Sequence, residues 1–209
     1  MKQISPDLWQ TQTEHPFYGV TSHAYLLTRI EGNILFYGTG VIEDMRSIQD
    51  LGGIVRQYLS HRDEAGPALM AIKDFFGSAL CCHVLEAKAI RSSCPVDVTF
   101  NTHETHLGNI EVIPTPGHTS GSTCFVYRSP HGQTYLFTGD TIFPDGQVWG
   151  TRVQIFAGGR KSDLKRSLSL LRNLQPDLVI SSASVGRAPV QPMLEGEWRT
   201  IVDGAISRL

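Results

Sequence analysis

Runs of β-branched and aromatic residues that stop abruptly at a glycine or a ligand-type side chain constrain this chain more than any other feature. NILFYGTG ends in two glycines, IVRQYLS runs into His61, NIEVIPTPG runs into His118, and TYLFTGD ends at Asp140. A sheet holds such a strand as a rigid base, and the loop beyond it is free to present side chains. HAYLLTRI and NILFYGTG read as a strand pair turning at Glu31-Gly32-Asn33, and Ser129-Pro130-His131-Gly132 joins a second hairpin. Apolar residues at helical spacing mark Ile42 to Leu51, stopped by Gly52-Gly53, then Ala68 to Phe76. Asp163 to Leu174 reads as a helix capped by Ser162, and Leu194 to Leu209 as a closing helix. CCHVLEA reads as one more short strand and DLVISSA as a buried one. This order predicts an α/β (α+β) fold: two mixed sheets packed face to face, with helices on the outer faces.

A chain of 209 residues fits one domain spanning 1–209, large enough to bury a core without staples. Charged residues make up 18% and the formal net charge is −2, which excludes bulk electrostatic attraction to nucleic acid or membrane as a function. MKQISPDLWQTQTEHPFYG lacks the apolar core of a signal peptide, and nothing later approaches the roughly twenty apolar residues of a membrane span. A cytoplasmic location is therefore expected. Cys81, Cys82, Cys94 and Cys124 form no C-x-x-C pair, so neither a disulfide framework nor a zinc knuckle is indicated.

Three strand ends gather polar residues: His61 with Asp63 two positions on, His118 in TPGHTSG, and Asp140 in FTGDT. Imidazole and carboxylate together suit zinc, iron or manganese. Each alone is as readily structural, but three strand ends flanked by glycines point jointly to a metal site. Elsewhere the histidines read differently. His103 and His106 in NTHETHLGN read as a solvent-facing turn, and His83 as a strand side chain. Trp149 and Phe156 read as core or interface packing, with a pocket wall as the alternative.

PTPGHTSGS followed by LFTGDTIF resembles the metallo-β-lactamase fold superfamily, which includes glyoxalase II-like thioesterases, lactonases and persulfide dioxygenases. HAYLLTRIEGNILFYGTG resembles its opening hairpin, and FAGGRKSDLKRSLSLL its Gly-Arg segment and following helix. The resemblance implies an αββα sandwich with the metal site at one edge. HRDEAGPA resembles a variant of the family's metal loop, so His61 matches its first histidine and Asp63 stands where a second histidine would be. His118 then matches the histidine of the Pro-Gly-His motif, and Asp140 the bridging carboxylate. These four residues imply one divalent ion, expected to be zinc, with iron or manganese as alternatives.

By the resemblance, the positions for a second ion's ligands fall on Pro67-Ala68 or Ala65-Gly66 and on Ser181 to Ser184, and none supplies the family's ligand. Gly38-Thr39-Gly40 stands where the family's Asp-x-Gly carries a buried supporting aspartate, which is missing too. The implied function is a metal-dependent hydrolase of an ester, thioester or lactone. Asp63, Glu64 and Asp140 are its candidate catalytic carboxylates, with Glu64 as general base and a small molecule as substrate. Ile142, Phe143 and Trp149 suggest a pocket or a homodimer contact. Two alternatives stay open: a metal-free member acting as a binding or scaffold protein, and an iron oxygenase using His61, His118 and Asp140 as a facial triad.

Overall fold

The computed structural model describes residues Met1–Leu209. The chain opens with β1 (Lys2–Ser5) and β2 (Leu8–Gln10), and β3 (Val20–Ser22) leaves for a small separate sheet. Next come β4 (Tyr25–Leu27), β5 (Ile34–Phe36), α1 (Ile42–Asp50), β6 (Arg56–Tyr58), α2 (Ala68–Phe76), β7 (Ala79–His83), α3 (Val84–Ile90) and β8 (Val98–Phe100). They form a seven-stranded sheet ordered β1-β2-β4-β5-β6-β7-β8. β4 and β5 pair antiparallel across the expected turn, whereas β5 through β8 run parallel. Parallel neighbours require crossover connections, which α1, α2 and α3 supply. Gly77, left-handed at φ 64°, closes α2 where the apolar spacing ends.

CCHVLEA does not form one strand. The ladder stops at His83, whose Nδ1 accepts the Leu85 N–H and caps α3. Leu, Glu, Ala and Lys then continue as good helix formers. A short apolar run cannot be assigned to strand or helix by periodicity alone, and here the two states meet inside it.

The second half holds β9 (Glu104–His106), β10 (Ile110–Pro114), β11 (Thr123–Arg128), β12 (Thr134–Phe137), β13 (Phe143–Asp145), β14 (Val148–Gly150), α4 (Lys161–Leu171), β15 (Leu178–Ile180), β16 (Ala183–Val185), β17 (Val190–Pro192) and α5 (Glu197–Ser207). Six of these strands make a sheet ordered β17-β15-β12-β11-β10-β9. A third sheet, β14-β13-β16-β3, was not foreseen from the sequence; its strands are three residues each, too short to show alternation. Ser162 is not the cap of α4: the helix starts at Lys161, after an extended Arg160 that gives no side-chain cap. The preceding Gly158–Gly159 turn sets that start, because Gly159 packs so closely on the carbonyls of Gly117 and His118 that no Cβ would fit.

Between the two large sheets lies an aromatic core. Tyr25, Phe36, Tyr58 and Phe100 face Val112, Phe125, Tyr135 and Phe137, all buried. Phe36 stacks on Phe137 with ring centroids 4.0 Å apart. On one outer face Leu164, Leu168, Trp198 and Val202 cover Val126, Leu136 and Val179. The other face is covered by Leu69, Ala87 and Ile90 over Leu59 and Leu80, and by Ile48 and Ile72 over Leu26 and Leu35. The layers are therefore helix, sheet, sheet, helix, as expected. Trp149 is buried edge-on against Trp198, while Phe156 is fully exposed.

All four cysteines are free and buried, and burial pushes the Cys81 and Cys82 thiols up to about 12. No helix is long and apolar enough to cross a membrane. Replacing Phe36 by alanine opens a cavity at the sheet interface, and the expected loss is about 3–5 kcal/mol of stability, measured by denaturant unfolding.

Candidate metal centre

The site forms at the edge where strands of both large sheets end. Beyond β6 the chain reaches His61, and a single 3-10 turn (Arg62–Glu64) presents Asp63 beside it. Beyond β10, the Thr115–His118 loop brings in His118, and Asp140 follows β12. His61 Nε2 lies 3.6 Å from Asp140 Oδ2. His118 Nε2 lies 3.8 Å from the same oxygen and 3.7 Å from Asp63 Oδ2. The two imidazoles stand edge to face, 4.6 Å between centroids. His61, Asp63 and His118 each offer a ligand atom, and these atoms all lie within 4.8 Å of one another. Four residues separated by up to 79 positions in sequence thus converge.

Both histidines are aimed by their far nitrogens. His118 Nδ1 donates to the Arg152 carbonyl at 3.0 Å, which turns Nε2 toward the site. That Nε2 is buried and has no hydrogen-bond partner. Nε2 and the two carboxylate oxygens converge with no hydrogen bond from Nε2 to either, a cluster of ligand-type atoms that a cation held among them would satisfy. Donor atoms sharing one ion at 2.0–2.2 Å stand about 3–4 Å apart, close to the separations above. The residues present therefore fit one divalent ion.

On the other side His61 Nδ1 meets Ser60 Oγ at 2.8 Å and Glu64 Oε1 at 3.1 Å. Glu64 also accepts the Ser60 N–H at 2.8 Å and the Ser60 hydroxyl. The carboxylate expected to act as general base thus sits behind His61, on the ring face turned away from Asp140, with its side chain only 7% exposed. Adjacency in sequence could not show this, because the 3-10 turn folds Glu64 back onto Ser60. A carboxylate on the far nitrogen is the usual way of orienting a ligating histidine.

A second ion finds no such fit. Ser182 stands in the stretch where the resemblance expects a histidine, and its hydroxyl donates to Asp140 Oδ1 at 2.8 Å. Pro67 and Ala68 form the start of α2 and carry no ligand atoms. The remaining histidines lie elsewhere. His103 pairs with Glu111 at 2.8 Å. His106 bridges the Tyr58 hydroxyl and Glu104, so it is half-buried rather than in a free turn. His23 Nδ1 meets the Thr11 carbonyl at 2.9 Å.

Sequence reasoning missed several supports. Gln154 donates to Asp63 Oδ2 at 3.0 Å. Tyr37, a bulky residue held left-handed at φ 66°, accepts the Gly139 N–H at 2.9 Å and donates to the Ile180 carbonyl. It thereby pins the backbone directly before Asp140. Nothing in FYGTG signals that role, although a serine aligned with an expected histidine could have drawn attention to Ser182.

The charges follow this geometry. Burial would lower the pKa of His61, but the Glu64 and Asp140 carboxylates outweigh it and hold the imidazole well above its ordinary range. Burial would raise Asp140, yet His61, His118 and the Ser182 hydroxyl hold it below the usual carboxylate range. The His118 imidazole, more than its own burial, sets Asp63, which is also lowered.

The family model of the metallo-β-lactamase superfamily matches residues 52–183, more than half of the chain, and the chain belongs to that superfamily. A metallo-β-lactamase from Pontibacter korlensis is similar over 99% of this chain and 96% of its own, at 21% identity and a TM-score of 0.74. The protein TTHA1623, in a di-iron-bound form, is 23% identical over 90% of this chain and 96% of its own, with a TM-score of 0.68. A Cronobacter sakazakii metallo-β-lactamase described by a HARLDQ motif is 20% identical over 83% of this chain and 81% of its own, at a TM-score of 0.61. No curated protein sequence matches the chain.

Replacing Tyr37 by phenylalanine leaves the Gly139 N–H and one Ile180 contact unpaired; the expected loss is about 1–3 kcal/mol in denaturant unfolding. A pH dependence follows from His61. Its pKa is raised on folding, so its stabilisation of the metal-free chain is full below the unfolded value of about 6.5 and is lost as pH rises through the folded value. A bound ion would replace that proton. Zinc titration by calorimetry in buffers of differing ionisation enthalpy is expected to show release of about one proton per ion near neutral pH, with affinity rising as pH rises.

Proposed function

We propose that the chain is a hydrolase of an ester, thioester or lactone that works with a single divalent metal ion, zinc being the first candidate. The observation that carries this reading is the buried, partnerless Nε2 of His118, aimed at Asp63 and Asp140 while Nδ1 is committed to Arg152. His61, Asp63, His118 and Asp140 would hold the ion. Such an ion, when bound, acidifies a water to a pKa near 7 and polarises a carbonyl oxygen.

The protein's own groups divide the remaining work. Glu64 and Ser60 keep the His61 ring oriented and its Nδ1 protonated. Ser182 holds Asp140 Oδ1, which leaves Oδ2 turned to the histidines. Asp63 is the carboxylate open to solvent, its side chain 43% exposed, and it is the group in reach to take a proton from an attacking water. Glu64 is excluded from that task by its contacts with Ser60 and His61. The di-iron form of TTHA1623 keeps iron among the candidates for this chain's ion.

A second reading, a metal-free binding protein, draws support from the Ser182–Asp140 and Gln154–Asp63 bonds, in which protein donors satisfy one oxygen of each carboxylate. Elemental analysis separates the two readings. Purified protein incubated with zinc, manganese or ferrous iron is expected to carry about one equivalent of metal, lost in His118→Ala and retained in His106→Ala. Metal-dependent turnover of an ester, thioester or lactone panel then completes the test. A chain that takes up no metal under any of these conditions belongs to the second reading.

A further inference from the structure

Glu86 is wholly buried, lies outside the metal centre, and has no part in the chemistry above. Its carboxylate nevertheless accepts five hydrogen bonds from the two loops that carry three of the four candidate ligands. Arg62, between His61 and Asp63, gives three: its backbone N–H at 3.0 Å, Nε at 2.6 Å and a terminal guanidinium nitrogen at 3.0 Å. The loop after His118 gives two more, the Thr119 hydroxyl at 3.1 Å and the Gly121 N–H at 2.7 Å.

The guanidinium extends the same link to the Leu85 carbonyl and to the Ser120 hydroxyl. Gly121 is compelled by this closeness, since a Cβ there would stand 2.7 Å from Glu86 Oε1. Burial would raise the Glu86 pKa, but Arg62 outweighs it and keeps the carboxylate charged.

We infer that Glu86 and Arg62 form a clamp that sets the distance between the His61–Asp63 loop and the His118 loop, and so act as positioning residues for metal binding. A buried ion pair is weak evidence for stability, because desolvation consumes much of the Coulomb attraction. Its contribution here is geometric: one carboxylate joins backbone and side-chain donors from both loops, so neither loop moves without the other. Residues supporting a metal site in this way typically change affinity 10–100-fold when replaced. The inference rests on the single-ion reading of the site.

Cobalt(II) titration of the full chain tests it, with affinity from chelator competition and coordination from the visible absorption bands. Glu86→Gln keeps the size of the side chain and an acceptor for Gly121, but loses the charged pair; Arg62→Met keeps the packing stem. Each variant, shown folded by circular dichroism at the assay temperature, is expected to bind about tenfold or more weakly with altered cobalt bands. The double variant is expected to lose little beyond either single one, because both remove the same link. Should Glu86→Gln fail to fold, Arg62→Met decides alone. Folded variants with wild-type affinity and spectrum, or losses that simply add, overturn the clamp while leaving the single-ion reading intact. A wild-type chain that binds no cobalt, zinc or iron overturns both.

Discussion

Phe36 and Phe137 stack face to face between the two large sheets, and the arrangement of the site edge depends on that contact. Phe36 is the last residue of β5 and Phe137 the last of β12. Packing them together brings the chain ends that follow, Tyr37 to Gly40 and Thr138 to Asp140, to one edge. β6 lies parallel to β5 and therefore delivers His61 to the same edge. Open sheets bind ligands outside the carboxyl ends of their strands for this reason, since the loops there share a rigid base.

At that edge the protein has settled the orientation of each group from behind. Arg152 fixes one histidine, Glu64 the other, Ser182 and Gln154 the two aspartates. Tyr37 holds the Gly139 backbone, and Gly139 must be glycine because a Cβ would lie 2.0 Å from Ser60 Oγ. These supports come from four separate segments, Arg152 and Gln154 sharing one loop. The front of the site, by contrast, has a buried nitrogen facing two carboxylates, the kind of unpaired arrangement that folding alone does not favour. Ser182 also makes the site asymmetric: it takes up the outer oxygen of Asp140 and offers no imidazole for a second ion.

Much of this was legible along the chain. Helix α2 begins and ends where apolar spacing indicates, and the hairpin at Glu31-Gly32-Asn33 pairs as its turn residues suggest. Strand ends carrying His61, His118 and Asp140 stood out because a ligand-type residue after an apolar run is visible without coordinates. Failures came where short elements carry too little pattern. CCHVLEA contains a strand, a cap and a helix in seven residues, and it hid Glu86 on a helix rather than a strand. The small third sheet went unseen for the same reason.

The sequence by itself determined the layered α/β class, the ligand-type residues at three strand ends, and the absence of ligand-type side chains at Pro67, Ala68 and the Ser181–Ser184 stretch. Side-chain identity is local, and strand and helix periods are local as well. Only the tertiary structure decided that Glu64 backs His61 instead of facing the open side of the site, that Ser182 binds Asp140, and that Glu86 ties two loops together. Each of those is a hydrogen bond whose direction depends on how the backbone turns and which distant segment arrives beside it. Contacts such as Thr119 with Glu86, 33 positions apart, exist only once both sheets and their helices have packed.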